Sequence, residues 1–182
     1  METKLMKLLT ILNNINVTWA VGGSYILSCY GLVRTVNDID LLVDKTTAEE
    51  VEITLSKYAK KEETISKEPF LTEHFSNFNL DGTSIDVMGG FNIRHQEGIY
   101  DLTFDHLSIT NYKKIRNVQV PLSSLEDWYI LYSLIPGKQY KANLIERYWN
   151  VNGIENPSLL YRSMEKPLPI DLRLKLNQIL NI

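Results

Sequence analysis

The chain has 182 residues, 44% of them apolar, a formal net charge of −3 and a single cysteine. That length suffices for one domain with its own core, and the mildly acidic balance argues against a broad phosphate-tracking surface, because binding to long nucleic acid is driven by clustered lysine and arginine. No stretch approaches the roughly 20 apolar residues of a membrane span, and Cys29, set among Ile26, Leu27 and Tyr30, reads as a small buried apolar residue suited to a reducing cytoplasm.

Taken in order, residues 1–15 place Leu5, Leu8, Leu9, Leu12 and Ile15 at helical spacing with Lys4 and Lys7 between them. This is an amphipathic helix rather than a signal sequence. Asn13, Asn14 and Asn16 break the pattern, and Val17-Thr18-Trp19-Ala20-Val21 predicts a short buried strand. Gly22 and Gly23 turn the chain, Ser24 is placed to cap a helix through Tyr30, and Gly31 stops it. A strand, a glycine turn and a helix start leave backbone N–H groups free for an anion. A glycine turn by itself requires no ligand.

A polar connection, Leu32 to Asn37, leads into Asp38-Ile39-Asp40-Leu41-Leu42-Val43. Side chains alternate along a strand, so Asp38 and Asp40 share one face, with Cα atoms roughly 6.6 Å apart, while Ile39, Leu41 and Val43 pack on the other. Two neighbouring carboxylates repel and call for a cation or a basic partner. The bland alternative is a solvated edge strand, or ion pairs to Arg34 and a lysine.

Thr46-Thr47-Ala48-Glu49-Glu50 predicts a capping box for a helix whose apolar face is Val51, Leu55 and Tyr58, with Lys57, Lys60 and Lys61 on its wet side; Pro69 closes the following loop. Asp81-Gly82 predicts a two-residue hairpin turn that pairs Leu80 with Thr83, Phe78 with Ile85 and Asn77 with Asp86. Asp86 then points away from Ile85 and Val87. A third acid returning to the first two across adjacent strands completes a metal cluster. Residues 91–117 predict loops with one short strand, and His74, His95 and His106 lack the spacing of zinc ligands.

Val118 to Pro121 predicts a strand, and Ser123-Ser124-Leu125-Glu126 a capping box opening a helix that Pro136-Gly137 ends. On the next helix, from about Lys138 to Asn150, Lys138 and Lys141 lie on one side, within reach of a triphosphate or simply solvated. The tail from Glu155, with short helices around Leu159-Leu160 and Leu172 to Ile179, either folds over the helical part or supports a homodimer.

In combination, Gly22-Gly23-Ser24, Arg34, Asp38-Ile39-Asp40 and Asp86 resemble the signature of the polymerase-β-type nucleotidyltransferase superfamily. The chain is similar to its small bacterial members, which include minimal nucleotidyltransferases and the lincosamide and aminoglycoside nucleotidyltransferases. The resemblance covers roughly residues 15–150. It implies an α+β fold, a short mixed sheet with packed helices forming a catalytic domain over 1–120 and a helical part over 121–182. It implies transfer of a nucleoside monophosphate from an NTP, ATP first, to a hydroxyl of a small molecule or partner protein. Asp38 and Asp40 would bind two Mg2+ ions, and Asp86 would complete that site or take the acceptor's proton. Gly22, Gly23, Ser24, Arg34, Lys138 and Lys141 would contact the nucleotide phosphates. Two positions depart from the pattern: Ala142 follows Lys141 where relatives carry Asp, and Val36 stands where threonine is usual. Action on a protein or RNA end in a toxin–antitoxin pair, or a non-catalytic nucleotide-binding module, are the competing readings. The acceptor itself is not written in these motifs.

Overall fold

The computed structural model describes residues 2–13, 15–64, 67–115 and 118–181, with side chains from residue 6 onward. The expectations for the Leu5 side chain, Asn14 and Asn117 fall outside these described residues. The first helix, α1 (Glu2–Leu12), buries Leu8, Leu9, Ile11 and Leu12. The strand β1 (Trp19–Val21) and the short helix α2 (Gly23–Cys29) follow, then β2 (Asp38–Val43) and α3 (Ala48–Leu55). Next come β3 (Lys60–Glu62), β4 (His74–Leu80) and β5 (Thr83–Gly89). A separate hairpin, β6 (Asn92–His95) with β7 (Gly98–Asp101), precedes a 3-10 turn at His106–Ser108 and the strands β8 (Ile109–Ile115) and β9 (Val118–Ser123). Four helices finish the chain: α4 (Leu125–Leu134), α5 (Gln139–Asn152), α6 (Pro157–Met164) and α7 (Ile170–Leu180). The fold is α+β, and no described helix is long and apolar enough to cross a membrane.

The main sheet runs β3-β4-β5-β2-β1-β9-β8. It is mixed, because β2 lies parallel to β5 and β1 to β9 while the other neighbours are antiparallel. Its register sorts residues into rows across three strands. Phe78, Ile85 and Ile39 are direct neighbours on β4, β5 and β2, all fully buried, and burial of each such side chain contributes roughly 1.5–3 kcal/mol. The adjoining row, one residue along, is Asn77, Asp86 and Asp40 on the opposite face. A slip of one residue would put the acids into the core, so the apolar row fixes the position of the polar one. The hairpin turn between β4 and β5 has positive φ at both Asp81 and Gly82, the type I′ geometry predicted from Asp-Gly.

Several local expectations are corrected. Ser24 lies within the first turn of α2, whose N-cap is Gly22, and makes no capping bond. Thr47 precedes α3 without a capping bond because its hydroxyl donates to the Asp44 carbonyl at 3.2 Å, while the Thr46 hydroxyl and N–H both turn back to the Asp44 carboxylate. Tyr58 lies beyond α3 and is exposed, and Lys60 and Lys61 belong to the edge strand β3 rather than to the helix. The cap of α4 is Ser124, whose hydroxyl accepts from the Asp127 N–H at 3.0 Å; Glu126 instead accepts the backbone N–H of Asn156 at 3.0 Å, tying α4 to the start of α6. Residues 91–115 carry three strands, which alternation did not reveal because four consecutive β8 residues, Asn111 to Lys114, are exposed.

The helical part packs through aromatic contacts. The Tyr129 and Trp149 rings lie 4.9 Å apart, and the Tyr129 hydroxyl donates to Glu146 at 2.9 Å, joining α4 to α5. The tail folds over α4, and the Tyr100 and Ser163 hydroxyls meet at 2.9 Å to bind α6 to β7.

Candidate active site

A cavity of about 330 Å³ opens on the polar face of the sheet, and Asp38, Asp40 and Asp86 all line it. The strands place them there: Asp40 and Asp86 are direct neighbours on the parallel pair β2 and β5, and Asp38 is two residues from Asp40 on the same face. The side chain of Asn77, across from Asp86 on β4, donates to one Asp86 oxygen at 2.6 Å and aims that carboxylate.

Burial, reinforced by the charges of Asp38 and Asp86, pushes the Asp40 carboxyl up to about 7. Burial likewise raises Asp86, against the bond from Asn77. These are anions packed at a cost that a bound cation would relieve. Among the described residues no three acid, histidine or cysteine side chains stand gathered as a finished metal cluster. The donor chemistry nevertheless fits a hard divalent ion: carboxylate oxygens on adjacent strands facing one cavity, with a mutual repulsion that Lys141 and the Ser24 N–H offset only in part.

The two glycines earn their places by close approach. A Cβ on Gly23, whose φ is +58°, would lie 1.6 Å from Asp40 Oδ2, and one on Gly22 would lie 2.3 Å from Trp128 Nε1. Trp128 is itself fixed by donating to Ser123 Oγ at 2.7 Å, and that hydroxyl donates to the Val21 carbonyl at 3.1 Å. The glycine turn therefore lets a carboxylate and an indole close over the end of β1. The Ser24 backbone N–H faces Asp40 and partly offsets its burial.

On the far side of the carboxylates, Lys138 and Lys141 line the cavity from α5, with Ser24 opposite. Lys141 donates to Ser24 Oγ at 2.7 Å and lies 4.8 Å from the centre of the Tyr132 ring. Its pKa is lowered, first by burial and then by Lys138, while Asp40 and Asp38 act the other way. Burial and the Asp40 charge raise Tyr132, which keeps its phenol protonated.

Arg34 is not brought to this cavity. It lines a separate surface depression with Tyr25, Ser28 and Lys113, because the irregular segment after α2 runs along that side of the helix before entering β2. Conversely, the cavity has residues that the sequence reading assigned to the core or left unplaced: Trp128 and Tyr132 of α4, and Phe70, Phe75, Met88 and Phe91 beside β4 and β5. Aromatic residues at such spacing carry the same signal whether they face a core or a cavity.

Known structures share this architecture. A protein from Thermotoga maritima assigned to the nucleotidyltransferases is 26% identical, with 81% of this chain and 91% of that one covered at a TM-score of 0.60. The antibiotic-resistance factor ANT(2'')-Ia is 17% identical and covers 90% of this chain and 92% of its own at a TM-score of 0.58, a likeness of fold. The lincosamide antibiotic adenylyltransferase LnuA, lincomycin-bound, shares the fold at 14% identity and a TM-score of 0.52, over 80% of this chain and 96% of its own. No curated protein matches the sequence. Residues 4–147, which span both the carboxylate strands and the two lysines, match the sequence profile of the aminoglycoside-2''-adenylyltransferases, and the chain belongs to that nucleotidyltransferase family.

Proposed function

We propose that this chain transfers a nucleoside monophosphate, AMP from ATP, to a hydroxyl of a small-molecule acceptor. The observation that carries the reading is the convergence of Asp38, Asp40 and Asp86 with Lys138, Lys141 and Ser24 on one cavity. Carboxylates suit divalent cations and lysines suit phosphate, and a metal–triphosphate complex needs both within its own length.

Asp38 and Asp40, with Asp86 beside them, are the residues that would hold two Mg2+ ions. Such ions, when bound, stabilise the attacking and leaving oxygens of an in-line displacement. Lys141, held by Ser24, and Lys138 bind and orient the phosphates. Gly23 leaves room for Asp40 to occupy its position, and Gly22 leaves room for Trp128. Asn77 occupies one oxygen of Asp86, leaving the other to face the acceptor; a raised pKa suits that oxygen to receiving the hydroxyl proton. Trp128 and Tyr132 exclude water from the wall behind the phosphates.

Calorimetric titration with ATP, with and without magnesium, tests the reading on the wild type and on Asp38→Asn. Binding that requires magnesium and weakens in the variant is the expected result. Equal binding in all conditions would discard the metal–triphosphate site.

A further inference from the structure

The depression that takes Arg34 away from the carboxylates has a chemistry of its own. It encloses about 500 Å³, and its lining comes from three places: Tyr25 and Ser28 of α2, Arg34 and Thr35 of the connection into β2, and Lys113 and Ile115 of β8. Among the described residues that line it, two are cations and none is an acid. In the main sheet β1 and β9 stand between β2 and β8, so roughly 14 Å, three strand spacings, separates Lys113's strand from that of Asp38 and Asp40. A phosphate in one site does not touch the other.

Neither cation is paired. In a chain with 22 acidic residues against 19 basic ones, Lys45, Lys61 and Arg94 each find a carboxylate oxygen within 3.2 Å. The Arg34 guanidinium makes no hydrogen bond or ion pair with another described residue. The Lys113 ammonium lies 5.5 Å from the centre of the Tyr25 ring and beside the Cys29 thiol, which burial raises and so keeps neutral. Neither neighbour cancels its charge. The Ser28 hydroxyl is spent on the Tyr25 carbonyl at 2.7 Å, which leaves Thr35 as the hydroxyl donor of the lining. A planar fork, a point charge and a hydroxyl around one concavity suit a tetrahedral oxyanion carrying close to two charges; a lone carboxylate would be satisfied by the fork alone. The buried Tyr25 and Ile115 supply the apolar part of the lining, where attraction is less screened than in open water.

We infer that this depression is a second anion site, in which Arg34 and Lys113 hold the phosphate group of a small molecule between them and Thr35 donates beside them. It goes beyond nucleotide transfer, since none of its lining residues lines the cavity of the carboxylates. The two sites are nonetheless joined along the chain. Val33 to Val36 make no backbone hydrogen bond with another described residue, and Val36 is two residues from Asp38. An anion held by Arg34 and Thr35 on one side and by Lys113 on the other clasps that connection to β8.

Calorimetric titration of the full chain with inorganic phosphate and, separately, with pyrophosphate tests the site, both without magnesium so that the carboxylates recruit no anion. Binding should weaken at least about tenfold in Arg34→Gln and in Lys113→Gln, and stay within about twofold of wild type when Lys138→Gln and Lys141→Gln are combined. Arg34 and Lys113 are exposed, so both single variants should melt with the wild type. Tighter binding of pyrophosphate identifies the leaving group of nucleotide transfer as the source, and equal binding a lone phosphate; both support the site. No binding of either anion to the wild type overturns the inference. So does binding that the Lys138 and Lys141 changes abolish while Arg34→Gln and Lys113→Gln leave it intact, which places the anion in the carboxylate cavity.

Discussion

Two carboxylates are pushed well above their ordinary range by burial, and they differ in nearly everything else. Asp40 stands on β2 beside a cavity, crowded by Asp38 and Asp86, and is pushed up to about 7. Asp127 stands on α4 beneath the tail and is pushed up to about 6, by burial first, with Ser124, Arg162 and Ser108 holding it down. Neither Asp127 oxygen makes a well-formed hydrogen bond among the described residues, and its nearest cation is Arg162 Nη2 at 3.8 Å. That guanidinium is spent mainly on Asp105, the Thr103 carbonyl and Ser108, fastening α6 to the segment after β7. A perturbed carboxyl therefore does not by itself mark a site. What separates the two is neighbourhood: like charges and open space around one, an arginine and closed packing around the other.

The sharpest way to break the comparison is Asp40→Asn. It should lower AMP transfer by at least about 1,000-fold while raising Tm, by roughly 2–4 °C for each kcal/mol of repulsion relieved. Single-turnover transfer and a thermal melt read the two effects, and a loss of both activity and stability would make Asp40 structural. Arg162→Ala is the counterpart. Removing the cation from a buried carboxylate should cost about 3 kcal/mol, read by urea denaturation.

Acidity distinguishes the pair in a third way. Both folded-state pKa values lie above the ordinary 3.8, so the native state binds the proton more tightly than the unfolded chain. Each residue's contribution is fully present below that ordinary value and is lost as pH rises, through about 6 for Asp127 and about 7 for Asp40. Melts against pH should show Asp127→Asn flattening the lower window, worth on the order of 3 kcal/mol, with the Tm response to magnesium intact. In Asp40→Asn the upper window and the magnesium response should both shrink. The smallest expected effect is Asn77→Ala, which frees Asp86 to turn and should slow transfer about tenfold with little change in ATP affinity. An unchanged rate would show that Asp86 needs no aiming.

Much of this arrangement is legible in the sequence where a local rule has one solution. Asp-Gly fixes the turn, the turn fixes the pairing of Asn77 with Asp86, and period-two alternation puts Asp38 and Asp40 on one face. The convergence of Lys141 with Ser24 is less so, because it depends on how α5 docks, which no spacing within α5 encodes. The phenylalanines that line the cavity were illegible for a related reason: Phe70, Phe75 and Phe91 read as ordinary apolar residues until the empty space beside them is known. Arg34 shows the converse. An irregular segment has no period to aim a side chain, so its nearness in sequence to Asp38 did not put it beside that residue's cavity.

The sheet also has a seam. Only Val21 and Leu122 pair between β1 and β9, with Ser123 and Trp128 bridging the gap beside them. Five strands thus form one panel and two form another, joined among the described residues by one ladder pair and by the Ser123 hydroxyl on the Val21 carbonyl. The carboxylates ride on the first panel, while α4, with Trp128 and Tyr132, leaves directly from the second. The indole of Trp128, fixed by Ser123 beside that seam and closing over Gly22, thus sets a wall of the second panel against the end of the strand that leads into the glycine turn.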